Sequence, residues 1–557
     1  MNKLPNITLF MRLSGVLILI FGALNACQKI NPFEDLELTV NTDIYKAPVL
    51  IEFVDANPEV KGRPQNLKVT ISGPGKDLVL SDAGKKNYTP SGNVLSLVLN
   101  KNVAPTTKAP IEFTVAVSGE GYVSTSKTII ITDPKDALNF RVPLTNIATP
   151  PVGAATEKAT VDLSKGKSVE VPSTPDKPET ASITITPGTE IKDASGTIIN
   201  SKEVAVTVVQ YTTETQESIE SFPGGFAAEN VAMNSGSSVD GSFITGGFVA
   251  VEMEAAGKDV KSFSKPIEVT VGLNPDLKNP NTGQLMKEGD SIPTWSYDSD
   301  TGAWKEEGVA NVIRNNKGEL VAQFKAPHLS YWNLDWFYSS CRSWEPLTFN
   351  VSSNVTRYAN SNDFYAKVYC ISEAGVKNYV KTMYDFDVTN GNSSNGLFNA
   401  NPPANFKLQV EVYSRQGDTF LGATSQFDPC SVSSVPISLN VKSLPSYLNV
   451  EVDFTAKCTN KSLNIKPSTW LYLISLDSYT WNYSYAVSGK ANFNITEGKT
   501  YYFFTYYDNK TYEGNVTFNK TSSVITANGK GITGTTSYNP VTDIVSVFAT
   551  YESETCN

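Results

Sequence analysis

A chain of 557 residues with 46 Lys and Arg against 56 Asp and Glu has a formal net charge of −10, and only 18% of its residues are charged. No clustered run of Lys and Arg is available to neutralise phosphates, which excludes nucleic acid as a partner, and a single histidine excludes a histidine-rich metal site. The length predicts about three or four domains, and recurrent short runs of alternating apolar and polar residues predict an all-β fold of tandem β-sandwich domains.

The chain opens with Lys3 and Arg12, an apolar run Val16-Leu17-Ile18-Leu19-Ile20-Phe21, and then Leu24-Asn25-Ala26-Cys27. A basic start, a short apolar middle and small residues before a cleavage point make a secretory signal, too short to remain as a membrane span. With its cysteine, the pattern resembles the lipobox of bacterial lipoproteins. The resemblance implies that residues 1–26 are a signal peptide, that Cys27 is the lipidation site and new N-terminus, and that residues 27–37 are a lipidated tether. Removing residues 1–26 takes away Lys3 and Arg12 and no acid, leaving 44 basic residues against 56 acidic ones, a charge of about −12. Such a chain has no polybasic grip on a membrane, so the membrane is held through the lipid. Gln28 stands where an inner-membrane retention signal would have Asp, and Glu34, Asp35 and Glu37 are similar to the acidic patches of surface-exported lipoproteins. An outer-membrane, cell-surface location follows as the expectation, with a periplasm-facing one as the alternative.

From 38 to 147 the alternation predicts a first β-sandwich. Leu67-x-Val69-x-Ile71 stops at Gly73-Pro74-Gly75, and Ile111-x-Phe113-x-Val115-x-Val117 ends at Gly119-x-Gly121. Ala148-Thr149-Pro150-Pro151-Val152-Gly153 reads as a linker, and Pro172, Pro175 and Pro178 mark a second loose stretch. A second sandwich is predicted over 155–338, with strands around Val204/Val206/Val208 and Ile267/Val269/Val271. It ends in Trp295-Ser296-Tyr297-Asp298, a turn at Ser299-Asp300-Thr301-Gly302, Trp304, and finally His328-Leu329-Ser330-Tyr331-Trp332-Asn333. This stretch, opening at Ile183-Thr184-Ile185-Thr186-Pro187-Gly188, resembles ZU5-like sandwiches and cartilage-intermediate-layer-like modules over roughly 180–336. The resemblance implies a fold and no particular activity.

The remaining residues read as two copies of one plan, 342–442 and 446–557, joined at Ser443-Leu444-Pro445. A Gly-led strand (Gly396-Leu397-Phe398; Gly489-x-Ala491-x-Phe493), a turn, and an aromatic-led strand (Phe406-x-Leu408-x-Val410; Tyr501-Tyr502-Phe503-Phe504) resemble transthyretin-like, carboxypeptidase-regulatory-like modules. On this reading the four sandwiches stand in a row.

Candidate chemistry is sparse. His328 two residues before Ser330 is the arrangement of self-cleaving ZU5-type sandwiches. The resemblance implies His328 as base and Ser330 as nucleophile, cutting between Leu329 and Ser330. Against it, Leu329 replaces the Phe of the ZU5-type version, and a histidine entering an aromatic strand reads as a structural group. Asp298–Gly302 lacks the glycine and distant Glu of a calcium loop and reads as a hairpin turn. Tyr479, Trp481 and Tyr483, placed where a loop is expected, are the candidate glycan-stacking residues. About half of Tyr501–Tyr507 must face inward by strand alternation. Cys458 and Cys556 lie near the ends of the first and last strands of the final sandwich and are disulfide candidates. Of Cys341, Cys370 and Cys430, two are available to pair and one is left over.

The sequence thus predicts a non-enzymatic, lipid-anchored envelope protein that binds or adheres to a glycan or protein ligand, with no cofactor and no metal. A self-processing surface protein and a periplasm-facing structural or assembly lipoprotein are the two alternatives.

Overall fold

The computed structural model describes residues 38–41 and 45–553, apart from 61, 83, 136, 176, 342–346, 357–358, 394, 398–400, 459–462, 477–480, 508–509, 522 and 527–531. Cys27, the tether, Tyr479 and Cys556 lie outside the described residues. The described chain is all β, broken only by the five-residue helix Gln216–Glu220 and short 3-10 turns.

The first sandwich packs two sheets. Strands Val79–Ser81, Val94–Leu99, Lys46–Asp55 and Leu138–Leu144 face strands Lys68–Ser72, Ile111–Gly119 and Tyr122–Ile131. Alternation decides the faces: Phe113, Val115 and Val117 enter the core with Ile51, Phe53 and Leu97, while Thr114 turns outward to meet Thr128 at 3.0 Å. Lys46–Asp55 and Leu138–Leu144, its first and last strands, pair in parallel. The same pairing recurs between Leu347–Ser353 and Ser434–Leu439 in the third sandwich, and between Tyr447–Cys458 and Ile544–Ser553 in the fourth.

Two details depart from the sequence reading. Leu38–Asn41 does not join the first sandwich but pairs in parallel with Leu463–Lys466, at the edge of the fourth. Its short Leu-Thr-Val-Asn alternation suits any open sheet edge, because an edge offers backbone groups and asks little of side chains. The sandwiches, consecutive in sequence, also close into a ring instead of standing in a row. Leu50 and Val94, on the outer face of the first, pack into one apolar cluster with Trp470, Tyr472, Ile474 and Phe504 of the fourth. That is why strand Thr469–Ser475 is buried on both faces: Leu471 and Leu473 enter their own core, and Trp470 and Tyr472 meet the first sandwich.

The second sandwich is one long sheet folded over, running from Lys167–Val171 at one end to Ala154–Asp162 at the other. Val169 and Ile183 from one end share a core with Val206, Val208 and Val251 from the other, and the same core continues into Phe349, Val368 and Val410 of the third sandwich. Cys341 and Cys430 form a disulfide near this joint, and Cys370 is a buried free thiol. Cys458 lies opposite Ser553 and is disulfide-bonded.

Candidate binding cleft

The ring encloses a cleft of about 1810 Å³ to which all four sandwiches contribute. The first supplies Glu52, Lys127 and Arg141, and the second Glu220, Phe226 and Trp304. The third supplies Lys381, Tyr384, Asp385 and Arg415, and the fourth Trp481 and Tyr483.

Local folding aims these groups. Ala47, Val49, Ile51 and Phe53 of strand Lys46–Asp55 fill the first core, so Glu52 on the opposite face looks into the cleft. Glu220 ends the short helix Gln216–Glu220, where four donors converge on its carboxylate. Oε1 accepts from Gln216 Nε2 at 2.8 Å, Thr382 Oγ1 at 2.7 Å and Tyr379 Oη at 3.1 Å, and Oε2 accepts from Tyr384 Oη. The Tyr384 ring lies between two guanidiniums, with Arg141 5.5 Å and Arg415 5.4 Å from its centre. Arg415 also donates from Nη2 to the Tyr384 carbonyl oxygen at 2.8 Å, which fixes the ring below it.

The electrostatics follow from enclosure. Burial raises the carboxyls of Glu52 and Asp385 above their usual range, against the pull of Arg141 on the former and of the Tyr483 hydroxyl and Arg415 on the latter. Burial lowers Lys127, and burial plus the charge of Lys127 lowers Lys381 to about 8. The cleft therefore combines aromatic faces, hydroxyl and guanidinium donors, and two lysines placed near enough to oppose each other's charge. Such a surface offers ring faces for stacking and charged groups of both signs.

Two of the aromatic residues singled out from sequence lie in this cleft, though not in a loop. Trp481 and Tyr483 are alternate residues of strand Trp481–Ala486. Trp481 lies under the Arg63 guanidinium at 4.7 Å and edge-on to Tyr472 and Phe504, and Tyr483 donates its hydroxyl to Asp385. Tyr-x-Trp-x-Tyr fits a strand as well as a loop, which is why the sequence misplaced it. Sequence reasoning missed Lys127, Arg141, Glu220, Lys381, Asp385 and Arg415 altogether.

The structure separates His328 and Ser330 chemically. Strand Leu320–His328 hands over to strand Tyr331–Ser339 through Leu329 and Ser330 alone, a crossing between strands that are not neighbours in the sheet. The Ser330 hydroxyl donates to the Tyr297 carbonyl oxygen at 2.6 Å. His328 Nε2 is 3.1 Å from Glu307 Oε1, its Nδ1 is 3.4 Å from the Leu329 carbonyl oxygen, and its ring packs on Trp332. Glu307 reaches the imidazole because it is the extra residue of a bulge, between Glu306 opposite Trp295 and Gly308 opposite Thr294. Burial would raise its carboxyl, but hydrogen bonds from His328, Lys305 and Ser296 outweigh that and hold it at about 2. Asp298–Gly302 forms the hairpin turn between the two Trp-bearing strands, with Thr301 Oγ1 and the Asp300 amide both donating to Asp298. Gly302 has φ +74°, and a Cβ there would press against Thr114 of the first sandwich.

Residues 189–335 match the model of a family described as FAM171A1/A2/B, N-terminal. The match falls within the folded sheet of the second sandwich and supports a β-sandwich module there. Among solved structures, the chain is similar to BcpA, the major pilin subunit of Bacillus cereus, at 10% identity over 91% of this chain and 99% of that one, with a TM-score of 0.14. It is similar to the Bacillus anthracis TIE protein at 9% identity over 67% and 74%, with a TM-score of 0.11. Similarities at such TM-scores carry no argument about function.

Proposed function

We propose that this is a non-enzymatic, lipid-anchored protein of the cell envelope, displayed at the outer-membrane surface, that holds a glycan or protein ligand in the central cleft. The observation that carries the reading is the cleft itself: one space of about 1810 Å³ furnished by all four sandwiches with rings, hydroxyls and charged groups of both signs. The lipobox-like Leu24-Asn25-Ala26-Cys27 supports the anchor. Leu38–Asn41, soon after the tether, docks on the fourth sandwich, which supports a reading with that sandwich nearest the membrane. The chain stays uncut between Leu329 and Ser330; in support, the Ser330 hydroxyl is committed to Tyr297 and His328 to Glu307.

The test is a glycan array, acidic oligosaccharides included, probed with the full mature chain beside its Trp481→Ala and Lys381→Ala variants. Binding weakened about tenfold in each variant, about 1.4 kcal/mol, is the expected result. Equal binding by all three chains refutes the cleft. Protease treatment of intact cells reads the location: digestion fits surface display, and protection fits the periplasm-facing alternative. Cys27→Ser should release the chain from membranes, and unchanged fractionation refutes the lipid anchor.

A further inference from the structure

Inside the cleft, the first, second and third sandwiches each bring one feature to the same place. Lys127 stands on strand Tyr122–Ile131 of the first and Lys381 on strand Lys377–Met383 of the third, and both line the cleft. The second sandwich adds the turn at residues 222–226. Lys127 Nζ lies against that turn, 3.5 Å from where a Cβ on Gly225 would stand. Gly225 has φ +83°, so the chain there is both bent as only glycine readily allows and bare of a side chain beneath the ammonium. Phe226, next along, meets the ring of Tyr379, on the same strand as Lys381, at 6.2 Å.

Lys127 is partly buried and makes no hydrogen bond and no ion pair among the described residues. The main-chain amides of Gly224 and Phe226, on either side of Gly225, likewise donate to no group among the described residues. The acid beside the turn does not answer these donors. Glu220, two residues before it, already accepts from Gln216, Tyr379, Thr382 and Tyr384. An ammonium held away from water without a counter-charge costs free energy, and a second lysine close enough to oppose it adds to that cost. We propose that Lys127 and Lys381 form an oxyanion subsite of the cleft, which seats the carboxylate or sulfate of an acidic glycan. The inference rests on the cleft being the ligand site, and it narrows the ligand to one that carries an anionic group. An ammonium is a compact charge with three donors, so a pair of them accepts a planar carboxylate or a tetrahedral sulfate alike. Ring faces at Trp481 and Tyr483 in the same cleft favour a sugar over an acidic peptide as the carrier. With 44 basic against 56 acidic residues in the mature chain, the surface as a whole repels an acidic polymer, so retention of one reports a local site.

Thermal melts of the full mature chain in sodium sulfate and in sodium chloride, at equal ionic strength, test the subsite without any glycan. Sulfate should raise the midpoint of the parent in a saturable way and by more than it raises that of Lys127→Gln. In chloride alone Lys127→Gln should melt no lower than the parent, because it removes an ammonium that has no partner. Equal sulfate shifts in the two chains overturn the proposal. So does a Lys127→Gln chain destabilised in chloride, which marks the lysine as structural. Dextran, dextran sulfate and carboxymethyl-dextran then identify the carrier on one sugar backbone. At least one charged polymer should bind about tenfold tighter than dextran, and Lys127→Gln should lose that ratio. A ratio of one in the parent overturns the acidic-glycan assignment, as does a preference for polyglutamate over both charged dextrans. The two readings fail separately: a sulfate effect confined to the parent with no glycan bound refutes the glycan reading alone, and glycans bound with no sulfate effect refute the subsite alone.

Discussion

Two of the ring's joints are unlike, and the contrast tells which parts of the molecule act as one body. Between the second and third sandwiches the apolar core is continuous from Val208 through Trp332 to Val410, the Tyr338 and Phe406 rings meet at 4.6 Å, and the Cys341–Cys430 disulfide lies close by. Between the fourth and first, closure rests on the patch formed by Leu50 and Val94 with Trp470, Tyr472, Ile474 and Phe504, plus the Arg63 guanidinium over Trp481. A continuous core welds two sandwiches into one cooperative unit, whereas a small patch between two separately completed cores is a latch. Leu50, Val94 and Tyr472 of that patch also line the cleft.

Trp332→Ala breaks the weld and has the largest expected effect. The ring is 1% exposed in the shared core, and its loss should cost about 3–5 kcal/mol. The second and third sandwiches should lose stability together, in one transition. Denaturant melts followed through probes in each sandwich check this, and separate midpoints would break the weld as described.

Leu50→Asp breaks the latch. Leu50 is 3% exposed and lies on the face away from its own core, so the substitution places an unpartnered carboxylate against Trp470 and Tyr472. Keeping the joint closed around that charge costs several kcal/mol, which favours opening. Small-angle scattering should show an increased radius of gyration while the melt of the second and third sandwiches stays put. An unchanged radius would show that the latch is stronger than its area implies.

The latch also marks where the sequence stopped being legible. Strands with one covered face were readable because alternation reports one buried side, as at Phe113, Val115 and Val117. The Trp295/Trp304 hairpin was readable from its Asp298–Gly302 turn, and the first and last strands of the fourth sandwich, at whose ends Cys458 and Cys556 were placed, do run side by side. Ring closure was not. Leu50 and Tyr472 each look like a single apolar residue on an outer face, and only their meeting across more than four hundred positions gives them a role.

Inside the welded unit, Glu307 gives a smaller and pH-dependent effect. Its carboxyl, held at about 2 by His328, Lys305 and Ser296, has a usual value of 4.5. A depressed carboxyl contributes stability fully above its unfolded value and loses it as pH falls through the folded one, so the contribution disappears between about pH 4.5 and 2. Its size is on the order of 2–3 kcal/mol. Glu307→Gln should lower the stability of the second and third sandwiches at pH 7 by that order and flatten their acid dependence over the same window. Parallel stability-versus-pH curves for variant and parent would refute the assignment.

The smallest expected effect comes from the other end of the same corner, at Ser330. Its hydroxyl makes one neutral hydrogen bond, 2.6 Å to the Tyr297 carbonyl oxygen, from a half-buried position. A bond of that kind contributes about 1 kcal/mol net, because folding only exchanges it for a bond to water. Ser330→Ala should therefore shift the melt slightly and leave the denaturing gel of the purified protein as it was, a single band. A self-cleaving site predicts the opposite pair of results: two fragments in the parent, the smaller beginning at Ser330, and one band only in the variant. The geometry argues for the first pair. An attacking hydroxyl needs a base within reach, and the contacts of His328 run to Glu307, the Leu329 carbonyl and the Trp332 ring, while the proton of Ser330 points to Tyr297. The corner then serves to pass the chain between strands that are not neighbours, with the bulge at Glu307 pinning the imidazole that ends one of them.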